Sequence, residues 1–164
     1  MRCTLRVGAS ALAVMLLWAT AAAQDRVAEL RALFAERHNA VEKARLMPEL
    51  GEAEFRDLRE DVVAGRLGEA LKVLEQYRAE ARECSQGLDA MKVDAEKHPA
   101  GFKQLQISLR ESLRRLNEIL AGLTLDDEAP FLEVRKDLEE LNQHLIGQLF
   151  PRQAADREPK KREN

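Results

Sequence analysis

Apolar residues recur every three or four positions along most of the chain, and charged residues fill the gaps between them. That spacing puts the apolar set on one face of a helix, because a helical turn takes about 3.6 residues. The clearest run is Leu67, Ala70, Leu74, Tyr77, Ala81, Cys84, Leu88, Met91 and Ala95, which predicts a helix from about Leu67 to Lys97, ended by His98-Pro99. Its spacings alternate three and four without a break, a pattern suited to a left-handed wrap with a partner helix. Gly87 lowers helix propensity within it by about 1 kcal/mol relative to alanine and marks a weak point.

The same reading places four further helices. The first runs from about Asp25 to Leu46 on Val27, Leu30, Phe34, Val41 and Ala44, and Met47-Pro48 is expected to stop it, since proline pushes the residue before it out of the α region. A shorter one spans Glu52 to Ala64 on Phe55, Leu58 and Val62, followed by a tight connection at Gly65 to Gly68. Another runs from Pro99 to Ala121, with Gly122 as its terminator, on a period of Phe102, Leu105, Leu109, Leu113, Leu116, Leu120 and Leu123. The last runs from Glu128 to Phe150 on Phe131, Val134, Leu138, Leu141, Leu145 and Leu149, with a capping-box-like start at Thr124 to Asp127 and a stop at Pro151. The expected fold class is all-α: an antiparallel bundle of three long amphipathic helices plus one or two shorter, N-terminal helices, over residues 24–150. Gly65 to Leu71 resembles the start of the second helix of a tetratricopeptide repeat, but the helix that follows is too long and the repeat does not recur, so no repeat array is expected.

The two ends of the chain break the pattern. Arg2 and Arg6 precede an uncharged stretch from Val7 to Gln24, most apolar from Ala11 to Trp18 and finishing in Ala21-Ala22-Ala23. This is the layout of a signal peptide over residues 1–23 with cleavage before Gln24. Cys3 lies ahead of the apolar stretch, where it cannot serve as a lipid-bearing cysteine. Residues 151–164 are charged, interrupted by proline and apolar only at two alanines, and are expected to be a disordered tail.

Composition narrows the functional classes. The chain has 26 basic and 29 acidic residues. Loss of residues 1–23 removes Arg2 and Arg6 and no acid, giving 24 against 29 and a net charge of −5. A diffuse acidic excess argues against nucleic-acid binding, which needs a concentrated basic face. Lys160-Lys161-Arg162 in the tail is flanked by Glu158 and Glu163 and reads as solvated rather than lipid-binding. No stable membrane insertion is expected once the leader is gone.

Residues with chemical potential are few. Three pairs could start a metal site by sharing a helix face at i, i+4: His38 with Glu42, Asp94 with His98, and Glu140 with His144. Without the Glu-x-x-His motifs of metal-binding bundles, they read as surface contacts. Cys84 lies on an apolar seam, where a thiol packs as a small hydrophobe; a link between two chains is the alternative. Asp126-Asp127-Glu128 reads as helix-start charge, not a calcium loop. Arg37 stands where the first seam wants an apolar residue, and is expected to snorkel or pair with an acid. No catalytic, cofactor-binding or metal residue is assigned, and no cofactor. The expected role is non-enzymatic binding or scaffolding in the cell envelope, periplasmic or extracellular, with a protein partner or a second copy through helix faces. The alternative is a ligand or metal carrier using the bundle interior.

Overall fold

Asn39 separates the first helix from the second. The computed structural model describes residues 26–151; the expected leader at 1–23 and all of the expected tail at 151–164 except Pro151 lie outside the described residues. Helix α1 covers residues 26–36, α2 Ala40–Val63, α3 Leu67–Ala90, α4 Phe102–Leu120 and α5 Leu125–Leu149. The all-α bundle anticipated from the periodicity is present.

The boundary between the first two helices differs from expectation. The break falls at residues 37–39, where Asn39 is extended and its side-chain oxygen accepts the Val41 N–H at 2.8 Å, and the next helix runs on through Pro48. An asparagine cap satisfies an amide that the helix start would otherwise orphan. Proline inside a helix costs about 3 kcal/mol. Ala44, Met47, Leu50, Phe55 and Leu58 are all buried along α2. Each large side chain among them contributes roughly 1.5–3 kcal/mol of burial, so packing outweighs the proline. Pro48 itself points to solvent.

Helix α3 ends at Ala90, short of the expected Lys97. Lys92 adopts the left-handed region at φ 53°, and the Asp94 carboxylate accepts the Glu96 N–H at 3.0 Å, an acid-capped turn that competes with helix. Met91 consequently leaves the seam and is exposed, whereas Ala95 is buried from the turn. Helix α4 starts at Phe102 rather than Pro99. Gly101, at φ 87°, donates its N–H to Gln104 Oε1 at 2.7 Å, and an added Cβ would lie 2.7 Å from Leu88 Cδ2 and 3.3 Å from Val41 Cα. Only glycine suits both that conformation and that space. Gly87 is a contact point rather than a weak one: a Cβ there would come within 2.9 Å of the Ala40 Cβ, so it lets the start of α2 approach α3.

Helices α2 and α3 run antiparallel, as the pairs Lys43–Glu83 and Gly51–Tyr77 show. The neighbours around the bundle are not simply consecutive. Helix α2 packs on α3 and α4, and α5 packs on α3 and α4, while α3 and α4 meet only weakly. The order around the bundle is therefore α2, α3, α5, α4, with residues 91–101 crossing the diagonal. Parallel neighbours result: Gly51 faces Ser112 and Arg59 pairs with Glu118 between α2 and α4. Arg78 pairs with Asp137, and Asp89 with His144, between α3 and α5. Helix α1 buries Val27, Leu30 and Phe34 and lies against α2 and α3, to which Arg26 and Arg31 pair through Glu49, Glu54 and Glu80.

Candidate functional site

None of the three histidine pairs survives as a shared face with free ligands. His38 lies in the break before α2, and Glu42 pairs instead with Arg37 at 3.6 Å. Asp94 and His98 are outside any helix, and Asp94 turns to Lys97 at 3.2 Å. Glu140 and His144 do share α5, but the His144 ring meets Asp89 of α3 at 3.0 Å, next to Gln148. Among the described residues, no three His, Cys, Asp or Glu side chains gather as a metal site. Arg37 stands outside the seam because α1 has ended before it. Cys84 is fully buried, and burial pushes its thiol up to about 12, so it packs without thiolate character. Asp126, Asp127 and Glu128 occupy the first turn of α5, where the Thr124 hydroxyl donates to Asp127 at 2.7 Å. This ties the cap residue to the turn through a side chain and favours the positive helix end.

Two polar clusters inside the bundle carry more information. At its centre the Tyr77 ring stands edge-on to Phe55 with centroids 5.3 Å apart, and its hydroxyl accepts from Ser112 at 2.8 Å and meets Ser108 at 3.3 Å. Gly51 makes the space: a Cβ there would sit 3.0 Å from the tyrosine ring. Burial pushes the phenol up to about 12, so it stays neutral and satisfies the two serines.

The second cluster joins α1, α2 and α3. Arg31 donates through Nε to Glu54 at 2.8 Å and lies 3.5 Å from Glu80, while Gln76 donates to Glu80 at 2.9 Å. Glu54 and Glu80 are 0% and 4% exposed. Each keeps one carboxyl oxygen, Oε2, buried without a partner. Burial, reinforced by the like charge of Glu80, pushes Glu54 up to about 8 against the pull of Arg31. Burial also raises Glu80 and the nearby Asp57. One guanidinium cannot balance two buried carboxylates, so a proton belongs to the pair. The cluster can hold and release that proton. Both carboxyls are enclosed, so the cluster presents little surface to a substrate.

Those depressions are shallow. One of about 370 Å³ lies between α2 and α4 over Phe55, edged by Arg56, Arg59, Arg114 and Arg115, with Glu52 and Glu118 opposing them. Glu111 and Glu118 already pair with Arg114, and Glu118 with Arg59, so its charge is largely spent internally. Another, of about 460 Å³, lies at the end of the bundle where α3 finishes and α2 begins, bordered by His38, Asn39, Ala40, Gly87, Ala90 and Met91. Around that end three large apolar side chains meet solvent: Met91, 42% exposed; Val93, 37%; and Phe150, 50%. They share an end because α3 and α5 run parallel: Gln148 donates to Asp89, and these two residues stand two positions before Phe150 and Met91.

Sequence reasoning found the seams and Cys84 but not the Arg31–Glu54–Glu80 cluster. The signal that could have found it is spacing: Glu54 stands four residues from both Leu50 and Leu58, and Glu80 three from Tyr77 and four from Cys84, so both acids fall on buried helix faces. No protein-family model matches this sequence, and no curated protein or solved structure is significantly similar to it.

Proposed function

We propose that the chain is an exported, non-enzymatic helical-bundle protein that binds a protein partner in the cell envelope through the end of the bundle carrying Met91, Val93 and Phe150. The observation that carries this reading is the exposure of Met91, Val93 and Phe150 beyond the ends of α3 and α5, with Met91 bordering the 460 Å³ depression. Methionine and aromatic side chains are enriched at the cores of protein interfaces, and clustered exposed apolar surface marks such sites more often than scattered residues do. Export rests on the leader at residues 1–23. No helix among the described residues is long and apolar enough to cross a membrane.

A photo-reactive residue at Met91 or Phe150, introduced into the full-length protein in its own host, tests the reading. One defined adduct is expected, with the same partner from both positions and loss of the complex in Met91→Ser/Phe150→Ser. A monomer that yields no adduct from either position overturns it.

A further inference from the structure

The Arg31–Glu54–Glu80 cluster carries an unbalanced charge if both carboxyls ionise, and its geometry supplies a way to avoid that. We propose that Glu54 and Glu80 form a proton-binding site whose proton latches α1 to the bundle: while the two carboxyls share it, Arg31 neutralises the pair and α1 stays docked, and its release opens the seam beside α1.

Three helices contribute one group each. Arg31 comes from α1, Glu54 from α2 and Glu80 from α3. The partnerless Oε2 atoms of the two glutamates are the ones a shared proton would satisfy, with one carboxyl donating to the other. The remaining groups around them do not supply a second balancing charge. On α2, Asp57 is another acid and faces Arg56. On α3, Gln76 is neutral, Tyr77 stays protonated, Cys84 is a buried thiol, and Glu83 is an acid already paired with Lys43. From α4 the hydroxyls of Ser108 and Ser112 are neutral and serve Tyr77.

Loss of the proton breaks one carboxyl O–H bond, hands the proton to a solvent base while its electron pair stays on the carboxylate, and leaves two carboxylates against one guanidinium. A buried unpaired charge draws in water or forces the site open. Opening occurs where least structure must move. Helix α1 is held by Val27, Leu30 and Phe34, whereas α2 and α3 are enclosed by other helices on further sides. Arg31 is the outermost member of the cluster, with a side chain about one-third exposed, so water enters past it. Glu54 holds its proton to about pH 8, which sets the transition in mild alkali. In neutral and acidic surroundings α1 is closed.

Hydrogen exchange of the purified protein, read for residues 26–36 against α3 and corrected for the intrinsic rate, tests this. Protection of 26–36 is expected to fall at least about tenfold between about pH 6 and pH 9, as expected for a group titrating across that window. Glu54→Gln and Glu80→Gln each leave one carboxylate for Arg31 and are expected to hold protection constant. Constant protection in the wild type, or an unchanged fall in both variants, overturns the latch. Should Glu54→Gln fail to fold, Glu80→Gln and the infrared carbonyl band of a protonated carboxyl decide the matter. That band is expected in the wild type at about pH 6, disappearing near pH 8; its absence at pH 6 overturns the proposal.

Discussion

The Ser112 hydroxyl on α4 donates to the Tyr77 phenol on α3 at 2.8 Å, across the diagonal of the bundle. The two helices touch little elsewhere, so a long side chain from one reaches what the backbones do not. Tyr77→Phe leaves Ser108 and Ser112 buried with their partner gone, an expected loss of about 1–3 kcal/mol. Gly51→Ala forces a methyl to within 3.0 Å of the same ring and is expected to cost a similar amount by overpacking. Urea denaturation of both variants measures each loss.

Pro48 is a position where a single change should stabilise the protein. It faces solvent in the middle of α2 and deprives the Ala44 carbonyl of its helical donor. Pro48→Ala is expected to raise stability by up to about 3 kcal/mol. A lower denaturation midpoint for this variant would mean that the proline sets a bend the packing requires.

Stability should fall as pH rises through the neutral range. Glu54 binds its proton in the folded protein up to about 8 but only to 4.5 as an ordinary glutamate. Its contribution is complete below pH 4.5 and is lost between there and about pH 8. Glu80 and Asp57 are shifted in the same direction by burial. Asp94 and Glu111 are shifted the opposite way, by Lys97 and Arg114, but on the open surface where solvent screens them. Denaturation midpoints at about pH 6 and pH 8.5 should differ in the wild type and converge in Glu54→Gln.

Cys84 should resist thiol reagents in the folded protein and react after unfolding. Cys84→Ala is expected to cost roughly 1 kcal/mol for the lost volume and to leave partner binding intact. Rapid native labelling of Cys84, followed on the intact mass, would contradict the buried position.

Two leucines from equivalent seams should behave differently. Leu74 is wholly enclosed, and Leu74→Ala is expected to cost about 2–5 kcal/mol. Leu141 only packs against the edge of the core, so Leu141→Ala should fall below that range. Equal losses in a denaturant titration would place both on the same buried layer.

Periodicity made the core legible because burial in a bundle follows helical spacing residue by residue. Leu74, Tyr77, Ala81, Cys84 and Leu88 on α3 and Leu105, Leu109, Leu113 and Leu116 on α4 are buried as their spacing requires. Helix ends were less legible. Pro48 reads as a stop locally, but its neighbours Met47 and Leu50 carry enough buried surface to run the helix through it. Asn39, a three-atom cap, sets the true boundary and leaves no hydrophobic trace. The Glu54–Glu80 pair was hidden for a different reason. Charged residues in such helices ordinarily face water, and these two are enclosed only because α1 lies over them. That enclosure is a property of three helices together. The exposed end was hidden too, since Met91 continues the spacing of its seam and leaves it only because Lys92 turns the chain.

The diagonal passage of residues 91–101 also sets the order in which the protein can assemble. A chain growing from its N-terminus completes the α2–α3 hairpin first, but the stripe of α2 bearing Gly51 and Phe55 has its second neighbour on α4, some sixty positions later. Half of that stripe waits for a distant segment, and closing so long a loop comes before the contacts that reward it. Nascent fragments ending before α4 thus carry an unfinished hydrophobic surface, which makes them the stage of synthesis most in need of a chaperone.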